Sequence, residues 1–524
     1  VNPILSATIA LGSQAAGIRS HSLIPNKGAF IHSRKSLSSS LSARTSSILA
    51  VMGGGSGDYG SLDENKDNNL NQPLNKVHHP RFWACLWMAM AMALHFGGYE
   101  FVRASSLTLF TSPQTGFVRT QFAIPAAMAC VSPTSLFLVW AYTHILERRG
   151  PKVALRQSTL MSMGALLILV AMIHFVPALF VPSLSSVSRW CVALLYIFQN
   201  SYAHLLYTQH WSFLGSVCTV DDGARWFATL AGLSSLASTC TGALVEPLVS
   251  RVGLYGLIFG TVGTLGLSLL CAERAYRISE KHQFSPIRPS HKTQDSTQRE
   301  QSWLQNTKDL YKRVPTLQAL FYEILSFQCM STILNVCLVT TLRKTIPNDY
   351  DRAGWTGRLY SLINGISALF QFVVLPLGMK NVSPAWVWRF MPVIPLLACL
   401  KTAVQSSSQT PSLLLLAVAF FVTKCCDYSI RGVVTELLYV PLDFESRFVG
   451  KEVNGVIANR FGKSGTSVVL SILTAGGFGF SLGLNHLTQM ALVASLCWTS
   501  CTFWLSCLVA KDKTKEEIEL SKKE

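Results

Sequence analysis

From Phe82 to Val509 the chain is a succession of apolar runs of about 20 residues, each long enough to cross the hydrocarbon core of a bilayer. Backbone groups in lipid have no water to bond, so runs of this kind can only be helices packed against one another. One set lies near Phe82–Val102, Phe122–Leu146, Leu160–Val181, Trp190–Phe213, Trp226–Leu248 and Leu254–Ala272. A second lies near Leu317–Leu342, Leu359–Leu377, Trp386–Val404, Leu413–Leu438, Val453–Ala475 and Leu487–Val509. The fold class is therefore an all-α membrane protein of about twelve transmembrane helices, six plus six. Charged residues make up only 14% of the chain, against about a quarter in a soluble domain. A net charge of +17 would suggest nucleic acid in a soluble protein, but here it sits in loops and the leader, so nucleic acid is not a partner. The 14 cysteines lie mostly inside apolar runs without a C-x-x-C pair, and they read as small hydrophobes.

Charge placement divides the chain further. Residues 1–80 read as a targeting leader and linker. No acidic residue precedes Asp58, whereas Arg19, Lys27, Arg34, Lys35 and Arg44 are spread among serines, the composition of an organelle transit peptide. The short apolar run 4–16 also fits the core of a signal peptide, and an ordinary disordered tail is the plain alternative. Two six-helix halves follow, 81–272 and 316–510, separated by a basic loop, 273–315, and ended by a charged tail, 511–524. The loop, the Arg148–Arg156 turn and the tail fall on one side of the membrane, which the positive-inside rule makes the inner side. Arg343, Lys344, Arg352 and Arg358 break that pattern by falling on the other side. Two halves joined by a long inner loop suggest the major facilitator architecture, in which the halves rock about a midplane site.

Ionisable residues inside the spans narrow the function. Lys424, Asp427, Arg431 and Thr435 follow at i, i+3, i+7 and i+11, one face of a helix, after a purely apolar stretch. Charge at that depth is tolerated where it faces a bundle interior or a watery cavity, so a solute pathway is one reading. The other is a helix end from which Lys424 and Arg431 snorkel to the interface. Polar stripes recur in other spans. The first carries His95, Gly98, Tyr99 and Arg103; the fourth carries Asn200, His204, Tyr207 and Trp211 with Gln199 beside them. The seventh carries Gln328, Ser331, Thr332 and Asn335; the eighth carries Arg358, Ser361, Asn364 and Gln371. Each stripe alone fits interhelical hydrogen bonding, while their recurrence in both halves fits a shared cavity. Ser234, Ser235, Ser238, Thr239 and Gly242 read as small-residue packing. Enzyme motifs fail: Gly462-Lys463-Ser464 lacks the glycine of a phosphate loop, since Ile457 stands in its place. His95 and Glu100 are out of phase for a metal pair. No catalytic set is present.

The segment Asp427–Gly465 resembles the ATP/ADP translocases, the nucleotide transporters of plastids and intracellular bacteria. That family has K-Y-S-L, then K-E-x-x-Y-I-P-L-D, G-K and N-P-L-G-K-S-G. The matching positions here are Tyr428, Ser429, Glu436, Tyr439, Pro441, Leu442, Asp443, Gly450, Lys451, Asn459, Gly462, Lys463, Ser464 and Gly465. Trp211–Phe227 and Gly98–Arg103 are similar to two further family segments, less specifically. The resemblance implies a carrier exchanging ATP for ADP across an organelle envelope by alternating access. The plastid inner envelope is favoured by the serine-rich leader and by the family. The implied partners are an anionic nucleotide and the bilayer, with ATP and ADP as substrates and no cofactor.

Departures from the family accompany the matches. Ser106, Gln199, Asn335 and Thr435 stand where it has charges within its spans, and Asp427 replaces a lysine, with Lys424 one turn earlier. Cations are needed to offset phosphates in a low-dielectric cavity. On this reading Arg103, Lys424, Arg431, Lys451, Arg460 and Lys463 attract phosphates, with Asp427 and Glu436 among them. Tyr207 and Trp211 stack a base, and Gln199, Asn200 and Asn335 bond the base or ribose. Two alternatives are a facilitator-type carrier of another organic anion and a non-transporting membrane scaffold that keeps a transporter-derived fold.

Overall fold

The computed structural model describes residues 80–117, 120–179, 185–218, 220–284, 309–375, 382–408, 411–439, 450, 453–475 and 482–521. The leader and linker, most of the central loop and Lys451 lie outside the described residues. The N-terminal half comprises α1 (Pro80–Thr111), α2 (Thr120–Arg149), α3 (Pro151–Leu179), α4 (Ser185–Val217) and α5 (Val220–Lys281). The C-terminal half comprises α6 (Pro315–Thr345), α7 (Asp349–Leu369), α8 (Pro384–Phe390), α9 (Val393–Ser408), α10 (Leu413–Cys426), α11 (Gly432–Tyr439), α12 (Gly462–Thr474) and α13 (Leu484–Ser521). α5 is two helices joined at Gly253, whose φ of 71° and ψ of 179° suit a residue without a side chain. α8 with α9, and α10 with α11, each form one passage. The described residues thus make six passages per half, the number read from the apolar runs.

Local chemistry sets the ends. Pro80, Pro151, Pro315 and Pro384 open α1, α3, α6 and α8, where a missing backbone N–H goes unused. Asn348 caps α7 by accepting from the Tyr350 N–H at 2.9 Å, and Ser412 caps α10 by accepting from the Leu415 N–H at 3.3 Å. Wide π-helical turns interrupt the second half at Phe370–Val374, Asp427–Arg431 and Asn454–Phe461. Such turns open the backbone ladder and gather at functional sites. Two of these three carry the ionisable residues Asp427, Arg431 and Arg460.

The outer surface is lipid-like. Phe137, Ile168, Trp190, Val404 and Leu414 are each more than 60% exposed, as lipid-facing residues should be. Seven stretches among the described residues are long and apolar enough to cross a membrane by length and composition. α1, α4, α7 and α12 fall short of that standard. They carry Glu100 and Arg103, Gln199 and His204, Arg352 and Asn364, and Lys463. A span departs from lipid-like composition where part of its circumference faces protein or water.

The halves meet where α7 packs on α1 and α5, and where α2 packs on α12 and α6. Gly357 allows a close approach of the two helices: a Cβ there would lie 2.6 Å from Val245 Cβ and 2.8 Å from the Gly242 carbonyl oxygen. Gly357→Ala should therefore push α7 off α5 and lower stability by about 1–3 kcal/mol. Thermal unfolding in detergent reads this, with Gly263→Ala as the silent control, since a Cβ at Gly263 meets nothing within 4 Å.

Candidate transport site

The apolar start of α10 carries the chain into the bundle before its first ionisable residue. Lys424 Nζ then lies 3.4 Å from Asp427 Oδ2, and Arg431 Nη1 donates to Asp427 Oδ1 at 3.1 Å. Arg431 turns Nε and Nη2 onto Glu323 of α6 at 2.8 and 3.0 Å, a bidentate pair. Glu323 Oε1 also accepts from Trp498 Nε1 of α13 at 2.8 Å, and both of these residues are fully buried. The Arg431 guanidinium lies 4.4 Å from the centre of the Phe327 ring. Charges largely withdrawn from solvent have thus been paired in a line from α10 through its π turn to α6 and α13. This geometry places Lys424 and Arg431 inside the bundle rather than at the interface.

A second cluster spans the two halves. Arg103 of α1 is ion-paired with Glu100 one turn earlier. Glu100 Oε1 accepts from Asn364 Nδ2 of α7 at 3.1 Å. The Arg103 guanidinium lies 3.3 Å from the Tyr360 ring centre and 5.4 Å from that of Tyr99. Tyr360 is within electrostatic range of Arg103, Tyr428 and Lys424, so it links the two clusters.

Arg460 and Lys463 differ from these cations: neither has an ion pair with a described residue. Lys463 lies within electrostatic range of Lys424 and Asp427, and Arg460 within range of His204 across the bundle. Among the described residues, five cations (Arg103, Lys424, Arg431, Arg460, Lys463) therefore face three carboxylates (Glu100, Glu323, Asp427), a surplus of two positive charges.

The remaining sequence candidates are dispersed. Gln199 is buried and its Oε1 has no hydrogen-bond partner among the described residues. Asn200 Nδ2 donates to its own helix at the Tyr196 carbonyl, 2.8 Å away. Tyr207 meets Phe96 and Trp211 edge to face, at 5.5 and 6.1 Å between ring centres. Asn335 Nδ2 reaches Met128 Sδ at 3.5 Å in the other half. Glu436 lies on α11, its side chain outside the described residues, as is Lys451 altogether. Thr435 is half-buried on α11, past the π turn that shifts its helical phase.

Arginines at the end of the bundle where α6 ends and α7 begins do a separate job. Arg343 Nη1 donates to the Phe117 carbonyl at 3.0 Å, and buried Arg352 Nη2 donates to the Thr108 carbonyl at 3.3 Å. Arg358 Nε pairs with Glu246 at 3.2 Å, and Ser361 Oγ donates to the Thr239 carbonyl at 2.7 Å. Each of these contacts joins one half to the other. Nearer the middle, Ser132 Oγ shares a hydrogen bond of 2.5 Å with Ser464 Oγ. Ser132 Oγ also donates to the Arg460 carbonyl, one turn further in, at 3.2 Å. Three of the basic residues that break the positive-inside pattern, Arg343, Arg352 and Arg358, are ties between halves.

Glu323, Trp498, Tyr360 and Asn364 complete the site, and of these only Asn364 was singled out from the sequence. One signal was available: Glu323 is the lone carboxylate in α6, and a lone charge within a span calls for a partner.

Comparisons with known proteins follow the same lines. The sequence model of the TLC ATP/ADP transporter family matches residues 289–509, the C-terminal half and part of the loop before it. ADP,ATP carrier protein 1 of Chlamydia trachomatis is 20% identical over 379 residues, spanning 65% of this chain and 70% of the carrier. The carrier of the same name from Chlamydia muridarum is 20% identical over 377 residues, with the same shares of each chain. Among solved structures, a bacterial homologue of the iron transporter ferroportin in its inward-facing state superposes with a TM-score of 0.55 at 13% identity. It covers 83% of this chain and 100% of that one. The inward-open xylose transporter XylE from E. coli gives 0.52 at 12% identity, over 80% and 95%. These two show the fold alone.

Proposed function

We infer that this chain, a divergent relative of the TLC ATP/ADP transporters, moves nucleotides across its membrane by alternating access, exchanging ATP for ADP across the plastid inner envelope. It is a multi-pass membrane transporter of the major facilitator type, not an enzyme. The observation that carries the nucleotide reading is the pair Arg460 and Lys463. Neither cation has an ion pair with a described residue, Arg460 faces His204 of the other half, and both lie inside the region matched by the family. Phosphate oxygens supply the acceptors that such cations lack. Arg460 sits where the halves meet, its carbonyl accepting from Ser132 Oγ of α2 at 3.2 Å. The basic, serine-rich leader supports organelle targeting.

A ligand that binds the folded state raises its melting temperature by mass action. ADP and ATP at millimolar concentration should stabilise the purified carrier, whereas xylose and dipeptides should not. A response to organic phosphates alone would favour a carrier of a different anion, a reading that the small charge surplus makes specific. No response to any anion would count against both.

A further inference from the structure

Asp427 places a carboxylate among the cations of a pathway for phosphates. Its two oxygens each face a cation of the site, Lys424 at 3.4 Å and Arg431 at 3.1 Å. We propose that Asp427 is a built-in competitor for the substrate's phosphates, and that it biases the site toward nucleotides carrying fewer charges. This rests on the nucleotide-carrier reading and adds the residue that sets phosphate number.

The two cations are held unequally. Arg431 is fixed by its bidentate pair with Glu323, so it stays beside Asp427 whatever enters. Lys424 has Asp427 as its one ion-pair partner among the described residues, at the long end of hydrogen-bond range. It otherwise lies 5.9 and 5.4 Å from the ring centres of Phe420 and Tyr428. Lys463 is close enough to feel both Lys424 and Asp427. An entering phosphate can therefore draw Lys424 away from Asp427 and share it with Lys463. The Asp427 carboxylate then stands against the phosphate, tied in place by Arg431. Its repulsion grows with the charge on the ligand and acts at short range in a poorly screened interior.

The surplus of two positive charges among the described residues points the same way. A phosphate monoester carries roughly 1.5 to 2 negative charges at neutral pH, which that surplus balances. Each further phosphate adds charge that the site offsets less well. Nucleotides should bind in the order monophosphate, diphosphate, triphosphate, from tightest to weakest.

The test is competition against uptake of labelled ADP by the full-length carrier in vesicles, with unlabelled AMP, ADP and ATP as competitors. In the unaltered protein, half-inhibition should need more ATP than ADP. Asp427→Asn should lower the ATP/ADP ratio of half-inhibiting concentrations about tenfold, one charge-assisted contact's worth of selectivity. Asp427→Glu, which keeps the charge, should preserve the original order. The ratio is internal to each sample, so it does not depend on how much protein folds, and Asp427→Ser provides a second neutral variant. An unchanged ratio in both neutral variants, with uptake intact, overturns the inference while leaving the carrier reading standing. Absence of saturable nucleotide uptake by the unaltered protein brings down both.

Discussion

Glu323→Ala should cost the folded carrier about 3–5 kcal/mol, the range for breaking a buried pair from one side. The cause is local. Glu323 is fully buried, accepts from Arg431 at 2.8 and 3.0 Å, and accepts from Trp498 at 2.8 Å. Its removal leaves a desolvated guanidinium with Asp427 alone, which already faces Lys424. It also leaves the Trp498 N–H without an acceptor, on a helix that packs closely against α6. Glu323→Gln, which keeps an acceptor for Trp498 and loses only the charge, should fall between. Thermal unfolding and monodispersity in detergent read both variants. An unchanged melting temperature for the alanine variant would mean that water, not Glu323, satisfies Arg431.

Replacing Arg460 and Lys463 together by alanine should have the opposite profile. Neither residue has an ion pair with a described residue to lose, so the melting temperature should hardly move. Transport should nevertheless collapse. A hydrogen bond to a charged partner is worth about 1.5–3 kcal/mol, so two lost phosphate contacts amount to roughly a hundredfold or more in uptake efficiency. Initial rates of nucleotide uptake at several concentrations measure this. Unimpaired uptake by the double variant would remove these cations from the pathway. The two experiments therefore separate a charge that holds the bundle together from charges kept available for a ligand.

Much of the architecture was legible in the apolar runs, because lipid leaves a chain few options. Length and composition were enough to count the spans. The cluster on α10 was also visible, since Lys424, Asp427 and Arg431 are close in sequence and helical phase brings them together. Partners from distant helices were not. Nothing local says that Glu323 meets Trp498, or Arg431, which lies 108 residues beyond it. The π turn at Asp427–Arg431 also escapes a reading based on a constant helical period. The arginines that break the positive-inside pattern show the reverse case. Their charge suggested an exception to membrane topology, but Arg343 and Arg352 are spent on carbonyls of the opposite half. Tyr207 and Trp211 share a face as their spacing requires, and the structure adds Phe96 as the neighbour of Tyr207.

The central claim is that cations between two rocking halves conduct a nucleotide. Counter-exchange by the purified protein measures it most directly: vesicles loaded with ADP are given labelled ATP outside. Saturable uptake that depends on internal nucleotide and disappears in the Arg460 and Lys463 double variant is the predicted result. Uptake no greater than in protein-free vesicles, for ATP and ADP alike, would contradict it.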